Sequence, residues 1–291
     1  MSVPPKSRRT EDQLDCSGSE AMKVCVYGAG AIGTHLAARL FTGGAQVSVI
    51  ARGDTLAAIR ANGIAVQAPT CGIQGRIGAT DDPEAIGPQD VVVVAVKAQS
   101  LPSITNGLTA LTGKNTTVAF VMNGIPWWYA YEHGGLLDGA QLSRTDVETN
   151  FQNTIGIANT IGGVIYSGCD VVAPGVVHVE SAKSRLILGH PDGRVSANLE
   201  ALAALFRSDD FTVEVTKQIR HHVWTKLQMV ICSGLLGCLT GLAPKWAYAE
   251  PACELGVRQI AAEVTAIAEA LGFPDGFHWR DIVSCCAHSD T

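Results

Sequence analysis

Apolar residues fall first into short β-branched runs along this chain and only later into long stretches at helical spacing. Lys23-Val-Cys-Val-Tyr27 and Gln46-Val-Ser-Val-Ile50 predict two short strands, with Val91–Val96 and Thr116–Val121 as two more. The unbroken run at Val91–Val96 suits a central parallel strand buried on both faces. Between the first two strands, Ile32, Leu36 and Leu40 recur at helical spacing, and Gly43-Gly44 ends the helix predicted over Ala31–Phe41. Asp54 stands where it would cap a second helix running through Arg60. Strands alternating with helices predict an α/β protein built on a parallel, doubly wound sheet.

The texture changes from about Thr154. Ile161–Tyr166, Val171–Val179 and Arg185–Leu188 are predicted strands joined by Gly and Pro turns, expected to form an antiparallel extension. After a strand at Phe211–Val215 the pattern is helical, from near Arg220 and again from Cys253 to Leu271. The expected organisation is therefore a flexible polar tail over 1–21, a sheet domain over 22–215 and an all-helical domain over 216–291. The tail lacks the apolar core of a signal peptide.

Composition narrows the function classes. Hydrophobic residues make up 47% and charged residues 16%, which supplies a sizeable core and argues against disorder. A net charge of -6 lacks the basic footprint of a nucleic-acid binder. Nine cysteines contain no C-x-x-C pair, and Cys25, Cys232 and Cys238 lie in apolar runs where a thiol acts as a small hydrophobe. That usage fits a reducing, cytoplasmic setting better than a disulfide framework. The adjacent Cys285 and Cys286 are a weaker candidate for a reactive thiol. Leu227 to Pro244 carries no charge and is long enough to be weighed as a membrane span. Gln228, Ser233 and Thr240 within it favour a buried helix at a domain interface, so no membrane role is expected.

The most informative segment is Gly28-Ala-Gly-Ala-Ile-Gly33, a full G-x-G-x-x-G between a predicted strand and a predicted helix. Its first glycine makes a tight turn, its second lets backbone approach a pyrophosphate, and its third lets helix pack on strand. The helix start, with Ala29, Ala31 and Ile32 around it, offers N–H groups to the phosphates. This is the Rossmann arrangement. The second strand ends in Ile50-Ala51-Arg52 with no acid until Asp54, and Arg52 suits a 2′-phosphate, so NADP(H) is expected over NAD(H). Lys97 and Asn123 stand at two further strand ends, where ligands bind in open α/β sheets; an Asn-Gly pair is also an ordinary turn. No metal ligand set is read from the sequence.

Taken in order, Gly28–Gly33, Val47–Arg52, Val96-Lys97-Ala98, Asn123-Gly124, Pro174-Gly-Val-Val-His178 and Trp224-Thr-Lys226-Leu227 resemble the ketopantoate reductases (2-dehydropantoate 2-reductases). The resemblance runs from about Met22 to Leu271. It implies a Rossmann domain followed by a helical domain, with a 2-oxo acid in the cleft between them and NADPH delivering hydride. It also implies that Lys226 is the general acid, that Asn123 touches nicotinamide and substrate, and that Lys97 lies near the cofactor.

Two departures qualify the substrate half. Relatives carry asparagines four and eight residues after the lysine, on the same helix face, where this chain has Val230 and Gly234. A later Ser and Glu of the family would fall beyond Thr291, with His288-Ser289 a weak trace of that stretch. A shortened helical domain buries less surface, so a compensating homodimer is among the expectations. Two alternatives stand beside reduction of a 2-oxo acid: reduction of a less polar ketone, and NADP(H) binding without turnover.

Overall fold

The computed structural model describes residues 21–69, 72–142 and 147–273. The expectations for the tail (all but residue 21), Cys285, Cys286 and His288-Ser289 lie outside the described residues. The strands, in chain order, are β1 Lys23–Tyr27, β2 Gln46–Ile50, β3 Ile64–Gln67, β4 Ile73–Gly75, β5 Gly78–Thr80, β6 Val91–Val94, β7 Thr117–Val121, β8 Thr160–Tyr166, β9 Cys169–Ala173, β10 Val176–Val179, β11 Ser184–Gly189 and β12 Phe211–Val215. The α-helices are α1 Ala31–Thr42, α2 Gly53–Asn62, α3 Leu101–Leu111, α4 Val147–Thr154, α5 Ala197–Phe206, α6 Ile219–Thr240, α7 Pro244–Ala247 and α8 Pro251–Ala270.

Eight strands form one sheet in the order β12-β11-β8-β7-β6-β1-β2-β5. Every neighbouring pair is parallel except β8 with β11, so β11 and β12 run against the rest. The reversal thus comes later than the sequence suggests. The long connection from β7 to β8, with α4 packed on a sheet face within it, allows another parallel strand. Val171–Val179 is not part of this sheet at all: β9 and β10 join β3 and β4 in a second, four-stranded one. Side chains alternate across the main sheet. Val24, Val26, Val91 and Val93 face one core with α1, α2 and α5, while Cys25, Val92 and Val94 face the other with α3, α4 and the start of α6. Burial on both faces is what the unbroken valine run requires.

Helix α1 lies between the two sheets. Its outer side meets β3, β4, β9 and β10, so every residue from Gly33 to Leu40 is buried, His35 and Arg39 included. Two local expectations need correction. Arg52, not Asp54, is the residue preceding α2; Asp54 sits in the first turn and makes no cap bond. Cys238 is exposed, whereas Cys25 and Cys232 are buried as expected, and all five described cysteines are free thiols. Burial pushes the Cys25 thiol up to about 12, which keeps it protonated and unreactive.

Beyond β12 the chain is helical. Helix α6 is long and apolar enough by composition to cross a membrane, the one such helix among the described residues. In the fold it packs on β8, β11, α7 and α8, while Leu235 and Leu239 on its other side stay exposed. A small core of Cys232, Leu236, Ala247, Tyr248, Val257 and Ala261 joins α6 to α7 and α8. Gln228, 2% exposed, donates from Nε2 to Ala261 O at 2.9 Å and Thr265 Oγ1 at 2.8 Å. Replacing it leaves two acceptors without their donor inside the packed helices. Gln228→Ala should therefore lower unfolding stability by about 1–3 kcal/mol, read as a lower thermal midpoint; an unchanged midpoint would contradict this account.

Candidate active site

The strands β1 and β6 are neighbours, with chain order running outward on either side of them, so a crevice opens above their carboxyl ends. A cleft of about 480 Å³ lies there, walled by Gly30–Ile32, Ala95–Gln99, Val121–Asn123, Ile165, Ser167 and Lys226. The valine strand stops at Val94, and Ala95-Val96-Lys97 leave the sheet to become one wall. A larger cavity of about 570 Å³ touches Lys23, Gln46 and Gly78, at the amino ends of β1, β2 and β5. That is the opposite end of the sheet from where ligands of this architecture bind.

The three glycines differ in what surrounds them. Gly28 has φ +105°, and a Cβ there would meet Val96 Cγ1 at 2.8 Å. A Cβ on Gly33 would stand 1.8 Å from Gly28 O, so α1 crosses β1 at a distance only glycine permits. A Cβ on Gly30 would meet nothing within 4 Å. Gly30 is also the residue preceding α1 and caps it with no side chain, which leaves the first-turn N–H groups facing open space. A bare backbone at the positive end of a helix fits a pyrophosphate.

Three elements bring the remaining predicted residues together. Lys97 follows β6, Asn123 follows β7, and Lys226 enters from the second turn of α6; all three line the cleft. The start of α6 is held by backbone acceptors. Arg220 donates to Tyr129 O at 3.0 Å, to Pro191 O at 2.5 Å and to Tyr131 O. One turn on, Trp224 Nε1 donates to Tyr129 Oη at 2.5 Å. The three bonds to Tyr129 and Tyr131 tie α6 to the segment just after Asn123. Lys226 Nζ lies 4.6 Å from the centroid of the Tyr166 ring, a cation–π contact at the end of β8.

Arg52 does not line the cleft. It is exposed at the end of β2, beside the glycine turn, where Gly28 N–H donates to Ile50 O at 3.1 Å. Val230 and Gly234 follow Lys226 by one and two turns; Gly234 is exposed, with nothing within 4 Å of where a Cβ would stand. Ser167 is a cleft residue that sequence reasoning missed, as is Tyr166, whose ring contacts Lys226. The rule that singled out Lys97 and Asn123, a polar residue at a strand's carboxyl end, would have found Ser167 had β8 been placed in the parallel sheet. Among the described residues no three His, Cys, Asp or Glu side chains gather as a metal site.

A glycine cradle at a helix start, opening into a cleft that holds two lysines and an asparagine from other elements, is the arrangement of a dinucleotide-binding α/β protein. Residues 24–193 match the family model described as Ketopantoate reductase PanE/ApbA. A 2-dehydropantoate 2-reductase of Mesorhizobium japonicum is 36% identical over 263 residues, covering 89% of this chain and 80% of that protein. A protein from Ralstonia solanacearum MolK2, assigned as a ketopantoate reductase, superposes with a TM-score of 0.84 at 32% identity, over 93% of this chain and 84% of that one. The 2-dehydropantoate 2-reductase of Geobacter metallireducens GS-15 gives 0.78 at 25% identity, over 91% and 82%. The chain belongs to the ketopantoate reductase family: it is an oxidoreductase acting on a ketone with a nicotinamide cofactor.

The glycines separate packing from binding in a testable way. Gly30→Ala should keep the thermal midpoint yet weaken cofactor binding at least about tenfold (~1.4 kcal/mol), because its methyl enters only the ligand's space. Gly33→Ala should lose both stability and binding, since α1 must move off β1. Fluorescence titration and thermal unfolding of the two variants check this, and equal behaviour would refute it.

Proposed function

We propose that this chain reduces a 2-oxo acid of the ketopantoate type to its 2-hydroxy acid, with NADPH as reductant and Lys226 as general acid. One observation carries the reading: the N-terminus of α1, Lys97, Asn123 and Lys226, distant in sequence, line a single cleft. The bound nicotinamide would supply a hydride to the ketone carbon. Lys226 would donate a hydrogen bond to the ketone oxygen, stabilise the negative charge developing there and release a proton to it. The Tyr166 ring supports this by holding the Lys226 ammonium at the cleft wall through their cation–π contact. Asn123 would orient both ligands from the β7 end, and Lys97 would balance cofactor charge. Gly28 through Gly33 would carry the pyrophosphate.

NADP(H) rather than NAD(H) is supported by Arg52 following β2 with no acid at Ile50 or Ala51. An acid there would accept from a ribose hydroxyl, whereas a guanidinium pairs with a 2′-phosphate. A second reading, reduction of a less polar ketone, is favoured by one feature: the positions four and eight residues beyond Lys226 are Val230 and the open Gly234, and Ser233 on that face gives its hydroxyl to Met229 O at 2.8 Å. We place the division between the sheet and helical domains near residue 216, between β12 and α6, and the protein in the cytoplasm with small-molecule ligands.

NADPH oxidation across a panel of 2-oxo acids and apolar ketones, ketopantoate first, tests the reaction. Lys226→Ala should lower kcat/KM by about 10²–10⁴-fold; a variant as active as the parent would remove Lys226 from the mechanism. Turnover confined to apolar ketones would favour the second reading. Arg52→Ala should weaken NADPH about tenfold or more while leaving NADH nearly unchanged, because a charge-assisted bond to phosphate contributes about 1.5–3 kcal/mol. Equal losses for both nucleotides would refute the preference for NADP(H).

A further inference from the structure

Behind the cleft wall a line of polar groups runs through the interior from Ser167 to Asp210. Ser167 follows β8 and lines the cleft with Lys226 and the start of α1. Its Oγ lies 3.3 Å from His35 Nδ1 and 3.1 Å from Ser184 Oγ. His35 is fully buried on α1, between the two sheets. On its far side Arg39 Nε donates to His35 Nε2 at 3.1 Å. The Arg39 guanidinium, 6% exposed, is held by Asp210 through Nη1 at 2.6 Å and Nη2 at 2.8 Å, with Ser208 Oγ at 3.3 Å.

Donor and acceptor roles along this line follow from the chemistry of its members. A guanidinium only donates, so His35 Nε2 accepts. Burial, reinforced by the Arg39 charge, lowers the His35 pKa to about 4, so the ring is neutral near pH 7. A neutral imidazole accepting at Nε2 carries its proton on Nδ1, and that N–H donates to Ser167 Oγ. Ser184 is 3% exposed, and its hydroxyl donates to Ser167 Oγ as well. Both acceptor positions of the Ser167 oxygen are then occupied from behind. With the Ser184 hydroxyl donating, the Ser167 O–H is left to the cleft.

We propose that Ser167 is a ligand-binding residue that acts as a hydrogen-bond donor into the cleft, and that His35 is a positioning residue imposing this polarity, itself set by Arg39 and Asp210. The ligand atom is an acceptor oxygen, from the cofactor's phosphate or carboxamide or from the substrate's carboxylate. The proposal rests on the reading of this cleft as the cofactor and substrate site. A hydroxyl that accepts from buried groups behind it favours a ligand acceptor in front, so it discriminates against a ligand presenting an N–H or O–H there.

The test is a double-mutant cycle on the full chain with Ser167→Ala, His35→Leu and the pair, read as the NADPH dissociation constant and, separately, as KM and kcat for the 2-oxo acid. Ser167→Ala should weaken one ligand about tenfold. A loss in the NADPH constant without substrate assigns the acceptor to the cofactor; a loss confined to KM assigns it to the substrate. His35→Leu should weaken the same ligand, and the pair should lose no more than Ser167→Ala alone. His35→Gln should restore binding, because an amide can accept from Arg39 through its oxygen and donate to Ser167 through its nitrogen. If His35→Leu does not fold, Ser167→Ala and His35→Gln decide the matter. Ser167→Ala binding both ligands like the parent overturns the proposal, and so does additivity of the two losses. Parent protein that binds no NADPH instead overturns the reading of the cleft, and this inference with it.

Discussion

A side chain on Gly33 would overlap the carbonyl of Gly28, and that overlap is the constraint on which the site depends. Helix α1 can leave β1 this tightly only because both crossing positions are glycine, and the tight exit points the first-turn N–H groups of α1 above the strand ends. Were α1 to start farther out, its positive end would no longer face the wall formed by Ala95–Gln99. The second sheet then presses α1 from outside, so the helix that offers its end to a ligand is buried along nearly its whole length.

The cleft collects residues from five elements by one geometric rule. Parallel strands end at the same edge, so whatever follows β1, β6, β7 and β8 is gathered there: the glycine turn, Lys97, Asn123 and Ser167. Helix α6 is the exception, arriving from the helical part of the chain. Its placement relies on Arg220 and Trp224 binding the Tyr129–Tyr131 segment, which itself begins a few residues beyond Asn123. The asparagine and the lysine are thus connected through the aromatic segment between them, and a shift of either end would be felt at the other. Low exposure of Trp128 and Tyr129 makes that connection stiff.

Burial of charge also has a structural logic. Arg39 and His35 would be costly between two sheets unless every donor found an acceptor. Asp210 supplies two of them from the turn before β12, so the sheet's last strand and α1 are joined by an ion pair rather than by apolar contact alone. The polarity of that pair propagates through His35 toward the cleft.

Much of the Rossmann part was legible in the chain because its signals are local. Periodicity placed β1 and β2 to the residue and α1, β6, β7 and β8 to within a residue or two, and the glycine spacing marked the turn whose conformation it demands. Lys97 and Asn123 were legible as polar residues at strand ends. Three features were not. The departure of β9 and β10 into a second sheet is a pairing choice between distant strands that no local pattern encodes. His35, which no local pattern singles out, is an interior hydrogen-bonding group because a second sheet covers that face of α1. Cys238 went the other way, exposed on the side of α6 that the described residues leave uncovered. By itself the sequence determined which segments become strands and helices and where backbone must approach backbone, since those follow from side-chain shape and local dihedral freedom. Only the tertiary structure decided which of their polar side chains share a cleft and which face of each helix is dry, because both depend on contacts between residues far apart in the chain.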